Sequence, residues 1–210
     1  LTGQALKPES TKLIKYFLAS LTIPDEDQWV NLSPYESDRI IPEALGTTEL
    51  GRDLLNQDLM LKQLTASLIY PEKELGKDFW NRVYQKAHAL YGTTEIPVNV
   101  CNRVWVVPDK AVVYEHDNTV MIIESRMKVM LEADYLETRG GAGARGRDVS
   151  SAVIRDVILP EIEKEVNTGK NFSTLRQIYN SMILATWYKT RLKNSIVNKV
   201  YADQKKVSGV

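Results

Sequence analysis

The sequence predicts an α+β fold in one domain over residues 1–210: a helical hairpin, a three-stranded antiparallel meander, then two long C-terminal helices. Two changes of period carry that expectation. Apolar residues recur at helical spacing before Leu90 and again after Val153, whereas the stretch from Val98 to Leu136 is rich in Val, Ile, Trp and Tyr and is broken by turn formers. A chain of 210 residues with 43% hydrophobic and 26% charged residues has an ordinary globular composition and can bury one substantial core.

The first helix is expected after Pro8, with Leu13, Phe17 and Leu21 on one face, Ile14 and Leu18 beside them, and Pro24 at its end. Ser33-Pro34-Tyr35-Glu36 has capping-box spacing with Pro at the first helical position, so a short helix follows until Pro42. From Thr47, Leu50, Leu54, Leu61, Leu64 and Leu68 define a long helix that Tyr70-Pro71 stops. Its hairpin partner begins after Pro71, buries Leu75, Phe79, Val83 and Leu90 with Trp80 at the edge, and closes at Gly92 in a left-handed cap.

Strands follow at 102–107, 110–116 and 119–131, punctuated at Pro108-Asp109 and Asp117-Asn118. In the third, Met121, Ile123, Met127, Val129 and Leu131 alternate with Glu124, Arg126 and Lys128, which predicts one face on the helices and one in solvent. The segment 138–148 holds four glycines and no apolar side chain larger than Ala, so it is expected to be a mobile loop. Helix resumes near Val149 with the stripe Val153, Val157, Ile158, Ile162 and Val166, and Pro160 within it is expected to kink or divide it before Thr168-Gly169. The last and longest helix, entered through Phe172-Ser173, carries Leu175, Ile178, Met182, Ala185, Leu192 and Ile196 on one side.

Composition narrows the function classes. With 27 Lys plus Arg against 27 Asp plus Glu the formal charge is zero, so no whole-chain basic field is available for wrapping nucleic acid or an anionic membrane. The zero is a cancellation: residues 1–50 hold four basic and eight acidic residues, and residues 166–210 hold eight basic and one acidic. A single Cys cannot form an internal disulfide or a multi-Cys zinc site, and two His cannot make a three-His metal centre. No apolar run approaches the roughly 20 residues of a membrane span. The start at Leu1 and the small, polar stretch from Asp203 to Val210 lead us to expect a piece of a longer protein.

Few residues recommend themselves for chemistry. The Gly-rich loop leads into a helix, where freed N–H groups with Arg145 and Arg147 would suit an anion, but it lacks the spacing of a nucleotide or dinucleotide loop. His116 lies beside Asp117 at a hairpin tip, and His88 sits between two alanines on a helix; neither has a sequence-local partner for a nucleophile dyad. Ser125-Arg126-Met127-Lys128 has a Ser-x-x-Lys spacing, yet in a strand residues three apart face opposite sides. Cys101 has only Arg103 nearby to lower its pKa and reads as a small buried residue. Carboxylates at 25–27, 36, 38, 43, 132, 134 and 137 offer material for a hydrolase, without a metal-loop spacing. The last helix is the clearest surface: Lys189, Arg191, Lys193 and Lys199 are interleaved with Trp187, Tyr188 and Tyr201, which suits an anionic or acidic partner.

The stretches Trp105-Val106-Val107-Pro108-Asp109-Lys110-Ala111-Val112-Val113-Tyr114-Glu115 and Gly169-Lys170-Asn171-Phe172, with Leu175-Arg176-Gln177-Ile178-Tyr179-Asn180-Ser181 and Ala185-Thr186-Trp187-Tyr188-Lys189, resemble an uncharacterised bacterial domain family found in large multidomain proteins. That resemblance carries no activity, cofactor or catalytic residue, and implies a module of a longer chain. The expectation is therefore a structural or protein-interaction module without catalysis or cofactor, whose partner is a protein, either a second copy or the parent chain. A hydrolase using carboxylates or His116, and anion or nucleic-acid binding through Arg145, Arg147 and the basic helix, are the alternatives.

Overall fold

The helix that opens the chain turns a different face inward from the one its leucines mark. The computed structural model describes residues 3–22, 30–31, 52, 60, 63–64, 67–68, 74–96, 104–138 and 152–207. Helix α1 (Gly3–Ser20) buries Tyr16, Ala19 and Ser20, while Leu13, Ile14 and Leu18 are 40%, 58% and 47% exposed. Small side chains at 19 and 20 let the helix backbone come close to the core, and the Ser20 hydroxyl is satisfied by donating to the Tyr16 carbonyl at 2.7 Å. Tyr16 then supplies more buried area than a leucine would.

Of the helix expected from Thr47, the described residues are Arg52, Met60, Gln63, Leu64, Ser67 and Leu68, all helical, with Leu68 fully buried and Leu64 packed against the core. The short helix after Ser33 and the corner at Pro71 lie outside the described residues. Helix α2 (Glu74–Tyr91) buries Gly76, Phe79, Trp80, Val83 and Ala87 and ends at Gly92 with φ +68°. Trp80 is core at 1% exposure and Leu90 is in solvent at 63%. The inward stripe runs 76, 80, 83, 87 and stops one turn before Leu90, which reverses the expectation for both residues.

The sheet corrects the three-stranded meander. Strand β2 (Val104–His116) runs unbroken through Pro108-Asp109 and pairs antiparallel with strand β3 (Thr119–Leu131), so the two expected strands at 102–107 and 110–116 are one. Pro108 pairs with Met127 and Lys110 with Arg126, so Asp109 is an extra residue: the Pro-Asp pair makes a bulge rather than a turn. A two-residue strand, β1 (Val30–Asn31), edges β2 at Val106 and Trp105. The β2–β3 turn is Asp117-Asn118, with Asp117 at φ +51°, a conformation that Asp tolerates.

A second irregularity lies opposite Val112/Val113, where Glu124 pairs with Val112 and Ile122 with Val113, leaving Ile123 unpaired. The extra residue flips the alternation beyond it. Val113 and Ile122 therefore pack on the core with Met127 and Val129, whereas Met121 and Ile123, expected on that face, are 48% and 63% exposed. On the reverse face Trp105 stacks on Tyr135 of helix α3 (Glu132–Thr138) at 4.6 Å between centroids, with Met130 beside them.

Pro160 does not divide its helix. Residues 154–158 form a π turn that leads directly into helix α4 (Leu159–Thr168), and the Leu159 N–H reaches back five residues to the Ile154 carbonyl. The wider turn accommodates a residue that has no N–H to donate. The expected stripe is buried throughout, Val153 to Val166, with Ile154, Leu159 and Glu161 added to it. Gly169 follows because a Cβ there would lie 2.6 Å from the Glu165 carbonyl oxygen. A 3-10 turn (Lys170–Phe172) then opens helix α5 (Ser173–Val207), which at 35 residues is about 50 Å long.

One buried cluster takes side chains from α1, Leu68, α2, β2, β3, the π turn, α4 and the first half of α5. Helix α5 enters it through Leu175, Ile178, Tyr179, Met182 and Ile183, and Ala185 is the last buried residue along the helix among the described side chains.

Candidate functional site

The stripe that anchors α5 continues past the core. Tyr188, Leu192 and Ile196, at i, i+4 and i+8, are 46%, 49% and 54% exposed, and Val197 lies beside them. These spacings place them in one ridge on one side of the helix. Helix α1 packs against α5, and the ring of Phe17 meets that of Tyr188 edge-on at 6.2 Å. The exposed Leu13, Ile14 and Leu18 of α1 flank Phe17 at helical spacing. The Phe17–Tyr188 contact therefore joins two apolar ridges into one surface that crosses both helices.

The rim of this surface is basic. Lys12 stands over the Tyr16 ring at 5.7 Å and Arg191 over the Trp187 ring at 5.8 Å, both cation–π contacts. Lys193 is exposed and Lys189 half-buried, one turn apart beside the ridge. From residue 186 to 207 there are six basic residues and one acidic, and α1 carries three Lys against Glu9.

The predicted contact residues divide between this surface and others. Arg145 and Arg147, with the Gly-rich loop at 138–148 apart from Thr138, lie outside the described residues. Lys199 lies on α5, outside the described side chains. Arg191 is bound within the fold to Glu115 near the ribbon tip, so part of its charge is neutralised there. Lys189 and Lys193 are brought together with the apolar ridge, which sequence spacing could indicate only by assuming that the ridge stays unburied.

The residues considered for catalysis do not converge. His116 is exposed at the ribbon tip, 3.5 Å from Asp117 and beside the Tyr114 ring at 6.2 Å. His88 is exposed on α2. Asp134 accepts two hydrogen bonds from Arg155, at 3.0 and 2.9 Å, and so tethers α3 to the π turn. Ser125 and Lys128 lie in β3 at odd spacing, the first half-buried and the second exposed. Cys101 and the carboxylates from Asp25 to Glu43 lie outside the described residues. Among the described residues no group of three or more His, Cys, Asp or Glu is placed to hold a metal ion.

Two clusters that the sequence did not single out organise the polar interior. Glu161, 1% exposed, accepts from Arg82 Nε at 3.0 Å and from Lys86, while Arg82 also donates to Glu165 at 2.5 Å. Burial raises the Glu161 pKa, but the hydrogen bonds from Lys86 and Arg82 outweigh it and hold the carboxyl below its ordinary value. Tyr179 of α5 donates to the Arg126 carbonyl at 3.2 Å beside the Asp109 bulge, and burial pushes its phenol up to about 12. The spacing 161, 165 against 82, 86 could have flagged the first cluster, since each pair is one helical turn.

The chain matches no family model, no curated protein and no solved structure. No helix among the described residues is long and apolar enough to cross a membrane.

Proposed function

We propose that this chain is a protein-interaction module of a longer protein, without catalysis of its own, and that its contact surface is the outer half of α5 together with the exposed face of α1. One observation carries the reading: a continuous apolar surface from Leu13, Ile14 and Leu18 across Phe17–Tyr188 to Leu192, Ile196 and Val197, lying outside the core and edged with cations. A contiguous exposed apolar patch with a polar rim is the signature of a protein contact. The basic rim selects an acidic partner, in a second copy or in the parent chain, and steers it. The resemblance at 105–115 and 169–189 supports the placement in a larger protein.

We further read residues 1–210 as one domain, because α1, Leu68 and both later helices share a single buried cluster. The segment around Leu64 and Leu68 and helix α2 then make the helical hairpin, both contributing to that cluster.

The test uses a synthetic acidic amphipathic helix, with Leu at i and i+4 between Glu residues, titrated into the whole chain by calorimetry. Saturable binding is expected, weakened by raising salt to 1 M and reduced about tenfold by the pair Leu192→Ser and Ile196→Ser. An affinity indifferent to both changes would discard this surface.

A further inference from the structure

A different part of the molecule carries an inference that does not depend on the α1–α5 surface. Helix α4 lies along the outer edge of β3 and takes the place of a neighbouring strand with two side chains. Asn167 Oδ1 accepts from the Met127 N–H at 2.9 Å, and Asn167 Nδ2 donates to the Met127 carbonyl at 2.8 Å. Those are the two bonds that a paired residue on an adjacent antiparallel strand would make. One turn earlier, Glu163 Oε2 accepts from the Val129 N–H at 3.2 Å. The edge at 127 and 129 is thus covered without a strand.

Among the described residues the cover stops there. Strand β3 is regular from Glu124 to Leu131, because the bulge at Asp109 belongs to β2. Outward-facing backbone groups recur at every second residue, so after 129 and 127 the next are the N–H and carbonyl of Ser125. Helix α4 ends at Thr168, and the Gly169 backbone is extended. Ser125 opens into a groove of about 520 Å³ that runs between the strand and helix α4 from Pro160 to Thr168, with Glu124, Arg126 and Lys164 in its walls beside the covering Glu163 and Asn167.

Charge in the groove is nearly balanced by internal pairs. Arg126 donates to Glu163 at 2.7 Å and lies 3.7 Å from Asp109, and Glu124 meets Lys110 at 2.8 Å. Lys164 is exposed and has no ion-pair partner among the described residues. The groove therefore offers one strand-pairing position and one uncompensated ammonium.

We propose that the β3 edge at Ser125 takes an extended peptide from another protein as an added strand, with a carboxylate of that peptide at Lys164. Main-chain bonds to Ser125 hold the strand, and the groove beside it sorts the side chains. The exposed Ile123 and Met121 continue the contact toward the ribbon tip. A second copy fits less well: two β3 edges paired about Ser125 would lay each strand over the 127–129 stretch where the other's Asn167 and Glu163 already sit. A short peptide needs only the open half.

The experiment selects binders to the whole chain from a displayed library of random ten-residue peptides. Enriched sequences are expected to alternate β-branched and polar residues and to hold Asp or Glu at one fixed position. A synthetic copy should move the Ser125 amide resonance. Ser125→Pro removes the outward N–H at an edge position where Pro is tolerated, and should weaken binding about tenfold with thermal unfolding unchanged. Lys164→Glu should shift the fixed position to Lys or Arg in a repeated selection. Should Ser125→Pro fail to fold, N-methylation of alternate peptide amides, which leaves the protein untouched, should produce the same loss. No enrichment, binding that survives both Ser125→Pro and N-methylation, or a dimer of the free chain that Ser125→Pro dissociates would overturn the proposal.

Discussion

At the scale of single residues the most consequential group is Glu161, a carboxylate in the core that ties α4 to α2. Taking a charge out of water is costly unless partners replace its hydration, and here two cations one helical turn apart do so. Both cations reach solvent, with Arg82 at 35% and Lys86 at 52% side-chain exposure, so their charges are not stranded when the carboxylate is lost. Glu161→Gln should therefore cost about 1–3 kcal/mol in urea unfolding, below the ~3–5 kcal/mol of a pair with both members sealed in. Because folding lowers the Glu161 pKa, its contribution is complete above the unfolded value of about 4.3 and is lost as pH falls through the folded value. Unfolding curves at pH 6, 5, 4 and 3 should show stability declining below about pH 4.5 in the parent chain, with the decline reduced in Glu161→Gln; equal declines would remove Glu161 from the acid response.

At the scale of elements, strand β3 shows how an edge can be protected by side chains. Asn167→Ala deletes both bonds to Met127 while Glu163 still holds Val129, so the expected cost is about 1–2 kcal/mol. Hydrogen exchange should quicken at the Met127 amide and much less at Val129; uniform quickening along β3 would mean that the whole helix–strand contact depends on Asn167. The elements also show which signals in a sequence survive folding. Helical stripes that are buried along their whole length, such as Val153 to Val166, can be read directly, because period and burial coincide. Local punctuation is ambiguous where it has two structural solutions: Pro108-Asp109 suits a turn or a bulge, and Pro160 suits a division of the helix or a π turn. In each case the paired or packed neighbour decides, and that neighbour is distant in sequence. The unpaired Ile123 illustrates the cost of missing one such residue, since every side chain beyond it changes face.

At the scale of the whole molecule, the zero net charge conceals a division along the sequence. The acidic residues 25–49 lie outside the described residues, and the helix that packs on α5 is itself basic, with Lys7, Lys12 and Lys15 against Glu9. The α1–α5 contact therefore joins two helices of like sign, with the Phe17 ring edge-on to that of Tyr188. The basic run of α5 was legible in the sequence, and so was an apolar stripe on one side from Leu175 to Ile196, but periodicity does not say where along that stripe the core ends. The fold ends it at Ala185, which is wholly buried, one turn before Tyr188. Two isoleucines on this one helix test that boundary. Ile178→Ala removes a side chain that is 3% exposed and leaves a cavity, so it should cost about 2–5 kcal/mol in urea unfolding. Ile196→Ala trims a side chain that is 54% exposed and should change stability by no more than about 0.5 kcal/mol, while weakening the acidic-helix complex. Equal losses of stability at the two sites would place Ile196 in the core and remove the ridge from the contact surface.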